Sequence, residues 1–144
     1  MKLNRLRVSQ EVSMRLSHLK ARTGLNPNVL CRVGFCLSLN DPTWPDPKDY
    51  PTDSDREIDR HTLTGQWDSF YVALIKERCK QDGLSVLEDD LADQFRAHIN
   101  RGVLLLYKRV KNIHDLGRLM PRATNTTSPQ PIQSEEIEEA FDEV

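Results

Sequence analysis

The stretch whose reading decides the fold is Leu3–Leu39, LNRLRVSQEVSMRLSHLKARTGLNPNVLCRVGFCLSL. Its opening alternates, with Asn4, Leu6 and Val8 on one side and Leu3, Arg5 and Arg7 on the other, which is the period of a β-strand. Ser9 is a good N-cap, and Glu11 suits the positive end of a helix dipole. Val12, Leu16, Leu19 and Thr23 then recur at helical spacing and predict a narrow buried stripe. Arg15, His18 and Arg22 run along one flank of that helix, and Lys20 lies on the other. Gly24 fits the left-handed position that ends a helix, with Leu25 as the apolar contact beyond it. Asn26 is read as the cap of a second helix, and Pro27 takes its first position, because proline loses nothing where the N–H is unpaired anyway. From Val29 to Leu39 that helix is apolar nearly all round, with Arg32 its only charge. A helix without a polar face predicts burial on most sides and hence a partner subunit. Gly34 offers a place for close helix approach. One short strand cannot stand alone, and no second convincing strand is visible elsewhere. The expectation is that it pairs with another copy of the chain.

Charge gives the first hint of function. The 144-residue chain has a net charge of −2, yet its first forty residues hold seven lysines and arginines against the single acid Glu11. Concentrated positive charge on a strand-helix-helix unit is the footprint of contact with nucleic-acid phosphates. The compensating acids fall between residues 41 and 64 and in the last thirty residues. No run approaches the roughly 18 apolar residues that span a bilayer, and no apolar signal segment opens the chain, so a cytoplasmic protein is expected. Cys31, Cys36 and Cys79 lack metal-ligand or redox spacing and are read as buried structural thiols.

Beyond residue 40 the chain changes character. Pro42, Pro45, Pro47 and Pro51 among aspartates predict an extended connector over about 40–56, pinned by Trp44 and Tyr50. Thr64 is read as the cap of a helix bearing Trp67, Phe70, Tyr71, Leu74 and Ile75 on one face, closed by Gly83. Ser85 and Glu88 suggest a capping box for a further helix along Leu87, Leu91, Phe95 and Ile99. Gly102 is expected to break or bend it before the basic run Lys108, Arg109 and Lys111. The result is a mainly α fold with one short N-terminal strand over residues 1–120. Residues 121–144 form an acidic tail, expected to be disordered on its own, in which Ile137, Ala140 and Phe141 fall at helical spacing. Two roles are open to it: a solvated tail, or a DNA mimic lying over the basic surface.

The segment Arg5-Leu-Arg-Val-Ser-Gln-Glu-Val, then Arg15-Leu, then Ala21-Arg-Thr-Gly-Leu-Asn, resembles the ribbon-helix-helix DNA-binding fold. In that fold two chains pair their strands in the major groove, and Arg5 and Arg7 would reach base edges. A wider likeness takes in Gly24-Leu-Asn-Pro-Asn-Val-Leu-Cys-Arg-Val-Gly-Phe-Cys-Leu-Ser-Leu, Arg60-His-Thr-Leu-Thr-Gly-Gln-Trp and Phe95-Arg-Ala-His-Ile-Asn-Arg-Gly-Val. These blocks are similar to the DndE family, the small subunit of the bacterial DNA phosphorothioation system. The resemblance runs from about residue 1 to 120. It implies a helical homo-oligomer, a tetramer, that binds double-stranded DNA, prefers a nicked duplex and works with the other phosphorothioation subunits.

The resemblance implies no catalytic residue, and the residues agree. His18, His61, His98 and His114 are scattered, without a paired carboxylate or metal-ligand spacing. The segment His98-Ile-Asn-Arg101 resembles a nuclease fragment but has no second histidine; contacts between helices or with a phosphate are the plainer reading of Arg96, His98, Asn100 and Arg101. The six glycines are isolated, so no nucleotide loop and no cofactor is expected. The residues expected to meet DNA are Arg15, Lys20 and Arg22, joined by Arg5, Arg7 and Arg32. Recognition through backbone and shape is expected, not base reading. The alternative is a ribbon-helix-helix regulator bound to one operator.

Overall fold

A computed structural model describes residues 1–119, and the acidic tail over 121–144 lies outside the described residues. The elements are β1 (Arg5–Arg7), α1 (Gln10–Thr23), α2 (Pro27–Asn40), β2 (Glu57–Asp59), α3 (Arg60–Thr64), α4 (Asp68–Gln81), α5 (Glu88–Arg109) and α6 (His114–Leu119). The fold is mainly α with one small antiparallel ribbon. No described helix is long and apolar enough to cross a membrane.

The N-terminal unit follows its local signals closely. Ser9 Oγ accepts from the Val12 N–H at 3.2 Å, and Val12, Leu16, Leu19 and Thr23 are all buried. Gly24 ends α1 at φ 75°, with its N–H donating to the Lys20 carbonyl at 2.8 Å. Only a residue without Cβ takes that φ at little cost.

The strand has a different partner from the one expected. β1 pairs with β2 of the same chain, with Arg5 opposite Asp59, Leu6 opposite Ile58 and Arg7 opposite Glu57. Leu6 and Ile58 point into the core as a directly opposed pair. The partner escaped detection because three residues, Glu-Ile-Asp, carry almost no period-2 signal of their own.

The central packing is α2 against α5, with α1 and α4 laid beside them. Gly34 meets Gly102 at the crossing, so the expected close approach is present, but Gly102 does not break its helix. α5 runs unbroken through it for 22 residues. Within one chain Leu30, Cys31, Gly34, Phe35 and Ser38 of α2 are already buried, with Val33 and Leu37 half-buried and Cys36 exposed. Cys36 is therefore not the buried thiol expected, whereas Cys31 and Cys79 are.

The proline-rich connector is held by arginines rather than by Trp44, which is 45% exposed. Arg78 donates to the carbonyls of Leu39, Asp41 and Thr43 at 2.6–2.7 Å. Arg96 donates to the Tyr50 and Pro47 carbonyls, and Arg101 to those of Ser38 and Thr43. A connector short of regular structure must still pair its carbonyls, and a guanidinium fork serves several at once.

Asn26 holds the N-cap position of α2 without a side-chain hydrogen bond, and two other predicted caps are absent. α5 begins at Glu88 after Leu87, and Ser85 Oγ accepts from the Leu87 N–H instead of forming a capping box. Leu87 is 71% exposed, so it does not join the stripe of Leu91, Phe95 and Ile99. α4 begins after Trp67, because Thr64 donates to the Arg60 carbonyl and to Asp68 and so closes α3. Trp67 and Phe70, expected to be buried, are each 60% exposed.

Candidate nucleic-acid interface

The helix flank carrying Arg15, His18 and Arg22 lies against the C-terminal end of α5, where Tyr107 stands half-buried. The Arg15 guanidinium sits 4.3 Å from the centre of the Tyr107 ring, that of Arg22 at 4.7 Å and the Lys111 ammonium at 5.7 Å. The His18 ring packs 6.2 Å away. Arg22 also donates to the Tyr107 hydroxyl at 3.2 Å. That hydrogen bond, helped by the nearby charges, holds the phenol below its usual pKa.

Each cation is attracted to the negative face of the ring by roughly 0.5–1 kcal/mol at an exposed site. The same ring brings three like charges together, and an anion bound there would relieve their repulsion. None of Arg15, Arg22 and Lys111 forms an ion pair among the described residues. Lys108 and Arg109, also unpaired among the described residues and exposed, extend the positive surface along the last turn of α5. The arrangement suits a row of phosphates.

The six residues singled out in the sequence separate here. Arg15 and Arg22 come together on Tyr107. Lys20 is exposed on the opposite flank of α1, also without an ion pair among the described residues. Arg5 and Arg7 are exposed on β1, but both lie against Glu57, Arg5 at 3.7 Å and Arg7 in a hydrogen-bonded pair. The hydrogen bond from Arg7 keeps the Glu57 carboxyl below its usual pKa range. Arg32 stands apart on α2, with its Nε buried and unpartnered among the described residues. Tyr107 is not among the six, although an aromatic residue directly before Lys108, Arg109 and Lys111 is a usable signal in the sequence.

The block Arg96–Arg101 serves the interior. Ser38 Oγ lies 2.8 Å from His98 Nδ1, and Arg101 Nε donates to the same oxygen at 2.9 Å. Burial, reinforced by Arg101 and Arg78, pushes the His98 imidazole down to about 3, so it is neutral at pH 7. Asn100 accepts from the Ser9 N–H at 3.0 Å and fixes the junction between β1 and α1. These residues make contacts between elements, one of the two roles expected of them.

A family model described as DNA sulphur modification protein DndE matches residues 5–114. The chain belongs to the DndE family. Membership associates it with DNA phosphorothioation. A crystal structure of DndE from Escherichia coli B7A, involved in DNA phosphorothioation modification, is similar in fold with a TM-score of 0.62 and 24% identity. That likeness covers 74% of this chain and 98% of the other. A DndE G21/24K mutant, involved in DNA phosphorothioation, gives a TM-score of 0.60 at 22% identity, covering 74% and 99%. At these identities the two likenesses speak for the fold. No curated protein matches the chain. The three sequence blocks that resemble the DndE family fall in α2 with the turn before it, in α3 with the turn after it, and in the middle of α5.

Proposed function

We propose that this DndE family member is a DNA-binding subunit of a phosphorothioation complex, without catalysis of its own. It engages the duplex backbone through Arg15, Arg22 and Lys111 around Tyr107, with Lys108 and Arg109 extending that surface and Lys20 adding a separate contact from the opposite flank of α1. The observation that carries this reading is the gathering of three cations on one surface ring. Such a surface binds phosphate oxygens irrespective of base identity. Assembly into a homo-oligomer, a tetramer in this reading, multiplies the positive surface by symmetry. The preference is for nicked duplex, whose greater flexibility lets the backbone follow the protein. The chain holds DNA while the other phosphorothioation subunits exchange oxygen for sulfur.

The test is fluorescence anisotropy with matched intact, nicked and palindromic duplexes at several salt concentrations. The expected result is tighter binding to nicked DNA, with a steep salt dependence. In an Arg15→Ala/Arg22→Ala variant the slope of log K against log salt should flatten by about 0.9 for each phosphate that is no longer neutralised. Equal, feeble binding to all duplexes refutes the proposal. Strong preference for one palindrome, abolished by Arg5→Ala/Arg7→Ala, would instead identify a ribbon-helix-helix regulator. Glu57 speaks against that outcome, because it holds both arginines.

A further inference from the structure

The start of α4 presents an aromatic face that the described residues leave uncovered. Trp67 and Phe70 are each 60% exposed, and with Tyr71 they line an open cavity of about 360 Å³. A contiguous apolar patch of this kind marks an interaction site far more often than isolated surface leucines do.

α2 runs beside this patch, next to Tyr71. The Phe35 and Tyr71 rings are 5.6 Å apart, and the Asn28 amide donates to the Thr62 carbonyl at 3.4 Å. Arg32 lies one helical turn from Asn28 and one turn from Cys36, so it runs along the strip of α2 that faces α3 and Tyr71. Its Nε is buried with no hydrogen-bond partner, and no carboxylate pairs with it among the described residues. That Nε is closed off from outside, but the half-buried guanidinium as a whole keeps an uncompensated positive charge beside Tyr71. The groove therefore asks for an occupant that is apolar on one side and acidic on the other.

We infer that this groove is the docking site of the chain's own C-terminal segment, residues 135–144. That segment places Ile137, Ala140 and Phe141 at helical spacing among Glu135, Glu136, Glu138, Glu139, Asp142 and Glu143. Its apolar residues match the aromatic wall, and its carboxylates match Arg32. The tether is long enough: Ile137 is 18 residues beyond Leu119, and an extended chain covers about 3.3 Å per residue, about 60 Å in all. A folded unit of this size has a radius of gyration of only about 13–14 Å. The segment also lies beyond residues 5–114, so the docking is an addition to the family fold. It does not depend on the DNA-binding role.

The test uses the full chain with Trp44→Phe, which leaves Trp67 as the only tryptophan. Docking predicts that Trp67 emits at short wavelength and resists acrylamide quenching. Ile137→Ser/Phe141→Ser should shift the emission to longer wavelength and raise the quenching constant, equally at every protein concentration. Arg32→Gln should produce a smaller shift in the same direction. An emission spectrum untouched by the tail substitutions overturns the inference. So does protection that grows with protein concentration and ignores the tail, which would identify a second copy as the occupant.

Discussion

Gly34 and Gly102 touch backbone to backbone where α2 crosses α5. A Cβ added to Gly102 would lie 1.9 Å from the Gly34 carbonyl oxygen, and one added to Gly34 would lie 2.7 Å from the Gly102 carbonyl carbon. The obstacle in both directions is main chain, so no side chain can swing aside. The crossing distance of the two central helices is set by the absence of two Cβ atoms.

Gly102→Ala should therefore destabilise the fold by about 3 kcal/mol or more, at or above the upper end of ordinary overpacking. Gly34→Ala should cost less, in keeping with its wider clearance. Urea denaturation of each variant gives the comparison. A Gly102→Ala midpoint equal to that of the parent chain would refute the close packing.

Arg78 is the main tie between α4 and the connector. Besides the three carbonyls, its Nε donates to Asp82 at 2.8 Å, and both side chains are about nine-tenths buried. Arg78→Met should cost about 3–5 kcal/mol, since it leaves Asp82 and several carbonyls without their donor. Arg78→Lys should recover little, because an ammonium has no planar fork to span them. Thermal unfolding of the two variants tests this, and near-complete rescue by lysine would count against it.

His98 makes stability depend on pH. Its folded value of about 3 lies below the ordinary 6.5, so in that interval the unfolded chain binds a proton that the folded chain refuses. Stability then rises with pH through the window, by up to about 1.4 kcal/mol per unit for one proton. Below about pH 4.5 other groups join in, because Asp68 and Glu57 are also held below their ordinary ranges, by Arg60 and Arg7 respectively. The decline between about pH 6.5 and 4.5 belongs to His98, and His98→Gln should flatten it. Urea titrations at several pH values would show this; an unchanged slope in the variant would remove His98 from the account.

Tyr107 organises the positive surface without carrying charge. Tyr107→Ala should weaken duplex binding at low salt, since the three cations lose the ring that positions them. Tyr107→Phe should retain most of the affinity, because the ring face remains and only the hydrogen bond from Arg22 disappears. Anisotropy titrations distinguish the two. Equal binding by Tyr107→Ala and the parent would move the interface elsewhere on the molecule.

What the sequence alone determined is whatever depends on neighbours along the chain. The Ser9 cap, the stripe of Val12, Leu16, Leu19 and Thr23, the left-handed Gly24 and the opening Pro27 are each specified by residues within one or two turns. Family likeness was legible too, since it rests on contiguous blocks. Tertiary structure decided the rest. β1 finds a partner some fifty residues away, at three residues too few to show a period. Trp67 has the spacing of a core residue yet lies exposed at the start of its helix, because α3 ends at Thr64 and α4 begins only after Trp67. Arg15 and Arg22 become a surface only when Tyr107, 85 residues beyond Arg22, is packed against them. Periodicity records which face of an element is apolar; it carries no information about which distant element will meet that face.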